Sequence, residues 1–164
     1  IAQYTTHAYP ELVRSLTLIC TSPAFGLDGT DPDEWRNNRL KGLETFGTVA
    51  AAAPVILSSL AGENAQHVVP EACEAMARIP MEGMLTSLSI LPSHDSRTIL
   101  PEITTPTLVL IGEDDDETPP SYSKAIVDLM PNATLVTIPG AGHLLNLEAP
   151  DAVNRAILQH WETT

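Results

Sequence analysis

Two short apolar runs, residues 107–111 and 135–138, constrain this chain more than any other feature. Both are uncharged and rich in β-branched residues. Runs of that length and composition form strands buried on both faces, as in a parallel sheet with helices on either side. Residues 119–130 lie between them and read as a helix, with Pro119 near its start and Tyr122, Ile126, Leu129 and Met130 on one face. Strand, helix, strand makes a βαβ unit with a right-handed crossover. Reactive groups on such sheets collect just beyond the carboxyl ends of the strands. There the first strand runs into Gly112, Glu113, Asp114 and Asp115, and the second into Gly140, Ala141, Gly142 and His143. An acid and a histidine are thus expected to leave neighbouring strands at one edge of the sheet.

The chain has 164 residues, the size of one ordinary domain, and its 43% hydrophobic content suffices for a core. Acids outnumber bases 21 to 8, which sets the net charge at −13. A field of that sign repels nucleic acid and anionic membrane surfaces, so neither is expected as a partner. No apolar run reaches the ~20 residues that a membrane-spanning helix needs. Cys20 falls in a predicted strand and Cys73 in a predicted helix. Two free thiols are therefore expected, which suits a cytoplasmic location.

The chain opens on a helical pattern over residues 1–8, with Ile1, Tyr4, Thr5 and Ala8 on one face and Pro10 ending it. No capping residue precedes Ile1, so the expectation is a segment that starts inside a longer motif. Residues 16–21 read as the next buried strand. Uncovered, that strand would offer an apolar edge to water. A covering segment, either a second chain or an N-terminal stretch of the same fold, is expected along it. A loop rich in Gly, Pro and Asp follows, up to Pro32.

Strand signals then vanish. Helices are predicted at 33–46 with Asp33 near the cap, at 48–60 with Pro54 marking a break or kink, at 70–78 and at 81–91. Gly47 separates the first two. A closing helix at 149–162 has Pro150 at its start and Val153, Ala156, Ile157 and Trp161 on its core face. The organisation is a core segment 1–32, an all-helical insert 33–97 and a second core segment 98–164.

Gly140 and Gly142, just ahead of His143, let its loop turn sharply and bring the imidazole to a reacting centre, where it can act as a general base. The plainer alternative is a histidine on a surface loop. Asp114, Asp115, Asp116 and Glu117 form a run of acids that could be a solvated loop or a metal site. Calcium loops alternate acids with other residues around a central Gly, and this run does neither, so no metal is expected. His7, His67, His94 and His160 show no zinc-ligand spacing.

Gly112-x-x-Asp115-x-x-Thr118-Pro119, followed by Pro139-Gly140-x-Gly142-His143, resembles the acid and histidine loops of the α/β-hydrolase fold. The resemblance covers nearly the whole chain and implies an α/β fold: the C-terminal part of an α/β-hydrolase parallel sheet, with residues 33–97 as its helical cap. It selects Asp115 from the acidic run as partner of His143. In that family the nucleophilic serine sits in a G-x-S-x-G elbow ahead of both, and this sequence contains no G-x-S-x-G. The nucleophile-elbow half is thus expected to be absent, and the chain alone to be inactive.

The motifs look most similar to the 3-oxoadipate enol-lactonases and haloperoxidase-like esterases. Their likeness implies hydrolysis of a small ester or lactone through an acyl-enzyme, with no metal and no cofactor. Phe25, Trp35, Phe46, Met81, Met84 and Leu144 are the expected substrate-binding wall, although cores use the same residue types. Arg39, four residues after Trp35, could add a carboxylate clamp. Two other readings stand beside this one: a non-catalytic interaction module, and a different α/β-hydrolase chemistry such as dehalogenation, perhydrolysis or carbon–carbon bond hydrolysis.

Overall fold

The structure, a computed structural model, describes all 164 residues. Its centre is strand β2 (Thr107–Gly112), in which every residue is buried. Helix α6 (Pro120–Leu129) and strand β3 (Ala133–Ile138) follow it, and β3 pairs with β2 in parallel from Thr107↔Ala133 to Gly112↔Ile138. Strand β1 (Leu16–Ile19) pairs in parallel on the other side, which makes a three-stranded sheet in the order β1-β2-β3.

Each face of the sheet carries its own core. Leu16, Leu18 and Val109 pack on Ile126 and Met130 beneath α6, together with Leu100 and Ile103 from the approach to β2. On the opposite face Leu108, Leu110 and Ile138 meet Leu145 and Val153, the latter from the closing helix α8 (Pro150–Glu162). Alternation along β2 sends Val109 to one core and Leu108 and Leu110 to the other, which is why the run shows no polar position.

Three expectations for the sheet and its flanking helices change. β3 is only partly buried: Thr134 and Val136 on the α8 side and Thr137 on the other are exposed, and of its six residues Ile138 alone is buried. Trp161 stays 53% exposed beside Thr17 and Ile19 of β1, where no other element covers the strand. Helix α1 (Ala2–Ala8) turns the opposite way from its apolar pattern. It buries Gln3 and Thr6, whose side chains bond to Ser22 and Ala2 carbonyls, and leaves Ile1 and Tyr4 exposed along the open side of β1.

From Pro32 to Ile90 the chain between β1 and β2 is mostly helical, as its pattern predicts. Helix α2 (Pro32–Phe46) is capped by Asp31 rather than Asp33: the Asp31 carboxylate accepts the Glu34 N–H at 2.8 Å, with Pro32 in the first turn. Gly47 ends it in the left-handed conformation at φ 72°. Helix α3 (Val49–Leu60) runs unbroken through Pro54. Proline is tolerated there because it lies on the exposed face, where the orphaned Ala50 carbonyl can bond to water. Helices α4 (Val69–Met76) and α5 (Met81–Ile90) complete the insert.

The insert leaves and rejoins the core through a narrow neck. Phe25 N–H donates to the His94 carbonyl at 2.8 Å, Ser96 N–H to Pro23 at 2.7 Å, and Ala24 bridges Asp95 in antiparallel fashion. Both ends of the insert therefore stand side by side above β1.

Because Leu110 is fully buried and touches the core beneath α8, Leu110→Ala should lower unfolding free energy by about 2–5 kcal/mol. Val136→Ala, on the open face of β3, should cost less than about 1 kcal/mol. Urea titrations of the two variants compare them directly.

Candidate functional site

Past the end of β2 the chain turns so that Asp115 points inward. Its side chain is fully buried, and four donors converge on it. Oδ1 accepts the N–H groups of Glu117 at 3.0 Å and Thr118 at 2.8 Å. Oδ2 accepts the Thr118 hydroxyl at 3.0 Å and the Nδ1–H of His143 at 2.9 Å. Such a turn is built into Asp-x-x-Thr, since a short carboxylate bonds readily to the backbone two and three residues on. The neighbouring acids take other paths. Asp114 and Asp116 are exposed, and Glu117 faces Arg39 at 3.4 Å.

His143 arrives from the end of β3. Gly140 takes φ +66°, a conformation that costs other residues strain, and so reverses the chain. Gly142 answers a different need: a Cβ there would stand 2.6 Å from the Gly62 nitrogen. The insert and the histidine loop touch at this point, where His143 N–H donates to the Leu60 carbonyl at 3.0 Å. With Nδ1 engaged by Asp115, the ring presents Nε2 with no hydrogen bond inside the chain, and 24% of the side chain is exposed.

Burial favours the neutral form of Asp115. The bonds from His143 and Thr118 outweigh it and hold the carboxyl below its ordinary 3.8. Burial likewise works against a charged His143. The bond to Asp115, with the charges of Asp115, Glu117 and Glu148, overrides it and raises the imidazole above its ordinary 6.5. The couple is therefore arranged to hold a proton on the ring and a negative charge on the acid.

Cys20 lies behind the couple, just past the end of β1 rather than within it, at φ 46°. Burial pushes its thiol up to about 12, so it stays protonated. Cys20, Asp115 and His143 bring ligand-type atoms within 4.8 Å of one another. An ion there would compete with the bond between Asp115 and His143 and would need a thiolate that this environment disfavours.

Of the expected wall residues, the structure brings Phe25 and Trp35 together edge-to-face, their ring centres 5.2 Å apart. Arg39 lies over Trp35 at 5.4 Å. The three line a cavity of about 280 Å³ with Thr118 and Tyr122, next to the Asp115 turn. Phe46 does not line it, since 11 positions of helix separate it from Trp35, about 16 Å along the axis. Met84 sits half-buried on α5, and Leu144 packs against Ala53 and Leu57 of the insert. Glu148, absent from the expectations, accepts backbone N–H groups on both sides of His143. No spacing rule marks it; only the folded loop reveals it.

His143 gains affinity for its proton on folding, so its contribution to stability is complete below pH 6.5 and fades as pH rises through the folded pKa. Asp115 is the reverse: its contribution is present above pH 3.8 and fades as pH falls through its lowered pKa. Asp115→Asn should lower the midpoint of His143 by about 1 pH unit or more. Titration of the ring protons by NMR measures it.

Residues 1–156 match the alpha/beta hydrolase family. Pimeloyl-[acyl-carrier protein] methyl ester esterase of Chromobacterium violaceum is 28% identical over 99% of this chain and 66% of its own length. A thermophilic esterase from Thermogutta terrifontis superposes with a TM-score of 0.83 at 27% identity, over 99% of this chain and 60% of that one. The enol-lactonase from Burkholderia xenovorans shares the fold, with a TM-score of 0.85 at 19% identity over 98% of this chain and 61% of that one. This chain thus spans less than two thirds of the length of each. Loop motifs, parallel sheet and family match agree, and the chain belongs to the alpha/beta hydrolase family.

Proposed function

We propose that this chain supplies the acid, the histidine and the cap of a serine hydrolase acting on a small ester or lactone. The observation that carries the reading is the bond between buried Asp115 and Nδ1 of His143, which leaves Nε2 free. In the proposed cycle Nε2 takes the proton of a serine hydroxyl as its oxygen attacks the carbonyl carbon. The imidazolium, stabilised by Asp115, returns that proton to the departing alkoxide and leaves an acyl-enzyme. Water then attacks the acyl carbon, giving its proton to Nε2, and the serine recovers a proton as the acid leaves. Asp115 stays ionised throughout. No step calls for a metal or a cofactor.

No G-x-S-x-G occurs in the sequence, so the serine in this reading comes from polypeptide outside it. β1 supports a place for that polypeptide. Its outer edge is unpaired, and an open groove of about 800 Å³ runs along it between α1 and the end of α5. A parallel strand added there would set its carboxyl end beside Asp115 and His143. Residues 33–97 act as the cap over a core of 1–32 and 98–164. The cavity formed by Phe25, Trp35 and Arg39 has the volume of a small substrate. The esterase relatives support ester chemistry. No helix is long and apolar enough to cross a membrane, and both cysteines are free, which accords with cytoplasmic residence.

A fluorophosphonate probe, applied to the purified material with intact-mass and size measurements, tests the proposal. A labelled serine on polypeptide associated with this chain is expected. His143→Ala should slow labelling by about a thousandfold or more. Material consisting of these 164 residues alone, with no label, would overturn serine catalysis and leave an interaction module.

A further inference from the structure

Glu148 closes the short helix α7 (Leu145–Glu148) that follows His143, and its carboxylate reaches back over the loop. Oε2 accepts the Gly142 N–H at 2.6 Å and Oε1 accepts the Leu144 N–H at 3.0 Å. These are the two amides that flank His143. The same carboxylate accepts the Gly62 N–H, 3.3 Å from each oxygen, just beyond the end of α3. The amide of His143 itself bonds to Leu60 in that same stretch.

We propose that Glu148 is a positioning residue for His143: its carboxylate ties both flanking amides to the end of cap helix α3 and so fixes where the imidazole stands. One charged acceptor shared by three amides holds more firmly than neutral pairs would. A Cβ on Gly62 would stand 2.8 Å from Glu148 Oε2 and 3.1 Å from the Gly142 nitrogen, so a side chain there would press the carboxylate off its amides. Asp115 then sets the tautomer of the ring and Glu148 sets the position of its backbone. Movement of α3 would carry the histidine with it. The proposal rests on His143 being the base of the reaction, since only then does its placement matter to catalysis.

The test uses the full ¹⁵N-labelled chain. It follows amide exchange at Gly62, Gly142, His143 and Leu144, with the low-field resonance of the His143 Nδ1–H. Amides of Val109 and Leu110 in β2 serve as the control for global folding. In Glu148→Ala, exchange at Gly142 and Leu144 should accelerate about 10- to 100-fold, and the Nδ1–H resonance should broaden or disappear. Glu148→Gln keeps one oxygen acceptor and should fall between the two. An unchanged Nδ1–H resonance overturns the proposal, even with faster exchange, because Glu148 would then brace the loop without holding the ring. Unchanged amide exchange overturns it as well. If Glu148→Ala loses protection in β2, Glu148→Gln decides by the same two signals. A failure of the hydrolase reading shows up separately, as probe labelling that survives His143→Ala.

Discussion

Parallel register between β2 and β3 sets Gly112 opposite Ile138, and all the chemistry of the chain depends on that alignment. Both strands end at the same level of the sheet, so the loops that follow start side by side. A slip of one residue would turn Leu108 and Leu110 out of their core and would withdraw His143 from Asp115. Register is held from both faces: Val109 is locked under α6, while Leu110 and Ile138 are locked under α8. The hydrophobic cores thus do more than stabilise the fold. They place two polar side chains within bonding distance.

The Asp115 carboxylate shows how a charge survives burial. Four hydrogen bonds replace the water that it has lost, three of them from the two residues that complete its own turn. Because those three are local, the orientation of the acid does not depend on the histidine alone. His143 is held on a different principle. Its loop is short of side chains, and its backbone amides take their acceptors from Glu148 and from the end of α3.

Much of this was legible in the residue pattern, and the failures have physical causes. β2 and α6 were readable because burial on both faces and amphipathic spacing leave strong signatures. The meeting of Asp115 with His143 was legible only through the resemblance of the two loops to a family pattern, which picked Asp115 out of a run of acids. β3 was misjudged: an edge strand covered at one end has the same composition as a buried one. α1 was misjudged because Gln3 and Thr6 could be buried through bonds to distant or backbone carbonyls, which no apolar pattern records. Phe46 and Met84 could not be assigned from residue type, since direction from a helix decides what a large side chain meets. Glu148 was invisible for a further reason: its three donors come from backbone amides, and backbone amides carry no sequence identity.

The neck at Ala24 and Asp95 bears on how such a molecule can change over time. A segment that departs and returns between bonded neighbours can be lengthened or exchanged at little entropic cost, because closing a longer loop between fixed ends adds only about 0.6 kcal/mol per doubling. The sheet below would be indifferent to the graft. The contact between Gly62 and Gly142 is the exception, since any replacement must offer a bare backbone at that spot. What lies above the histidine can therefore be remodelled as long as the replacement still offers the Leu60 carbonyl, the Gly62 amide and a glycine-sized approach to Gly142.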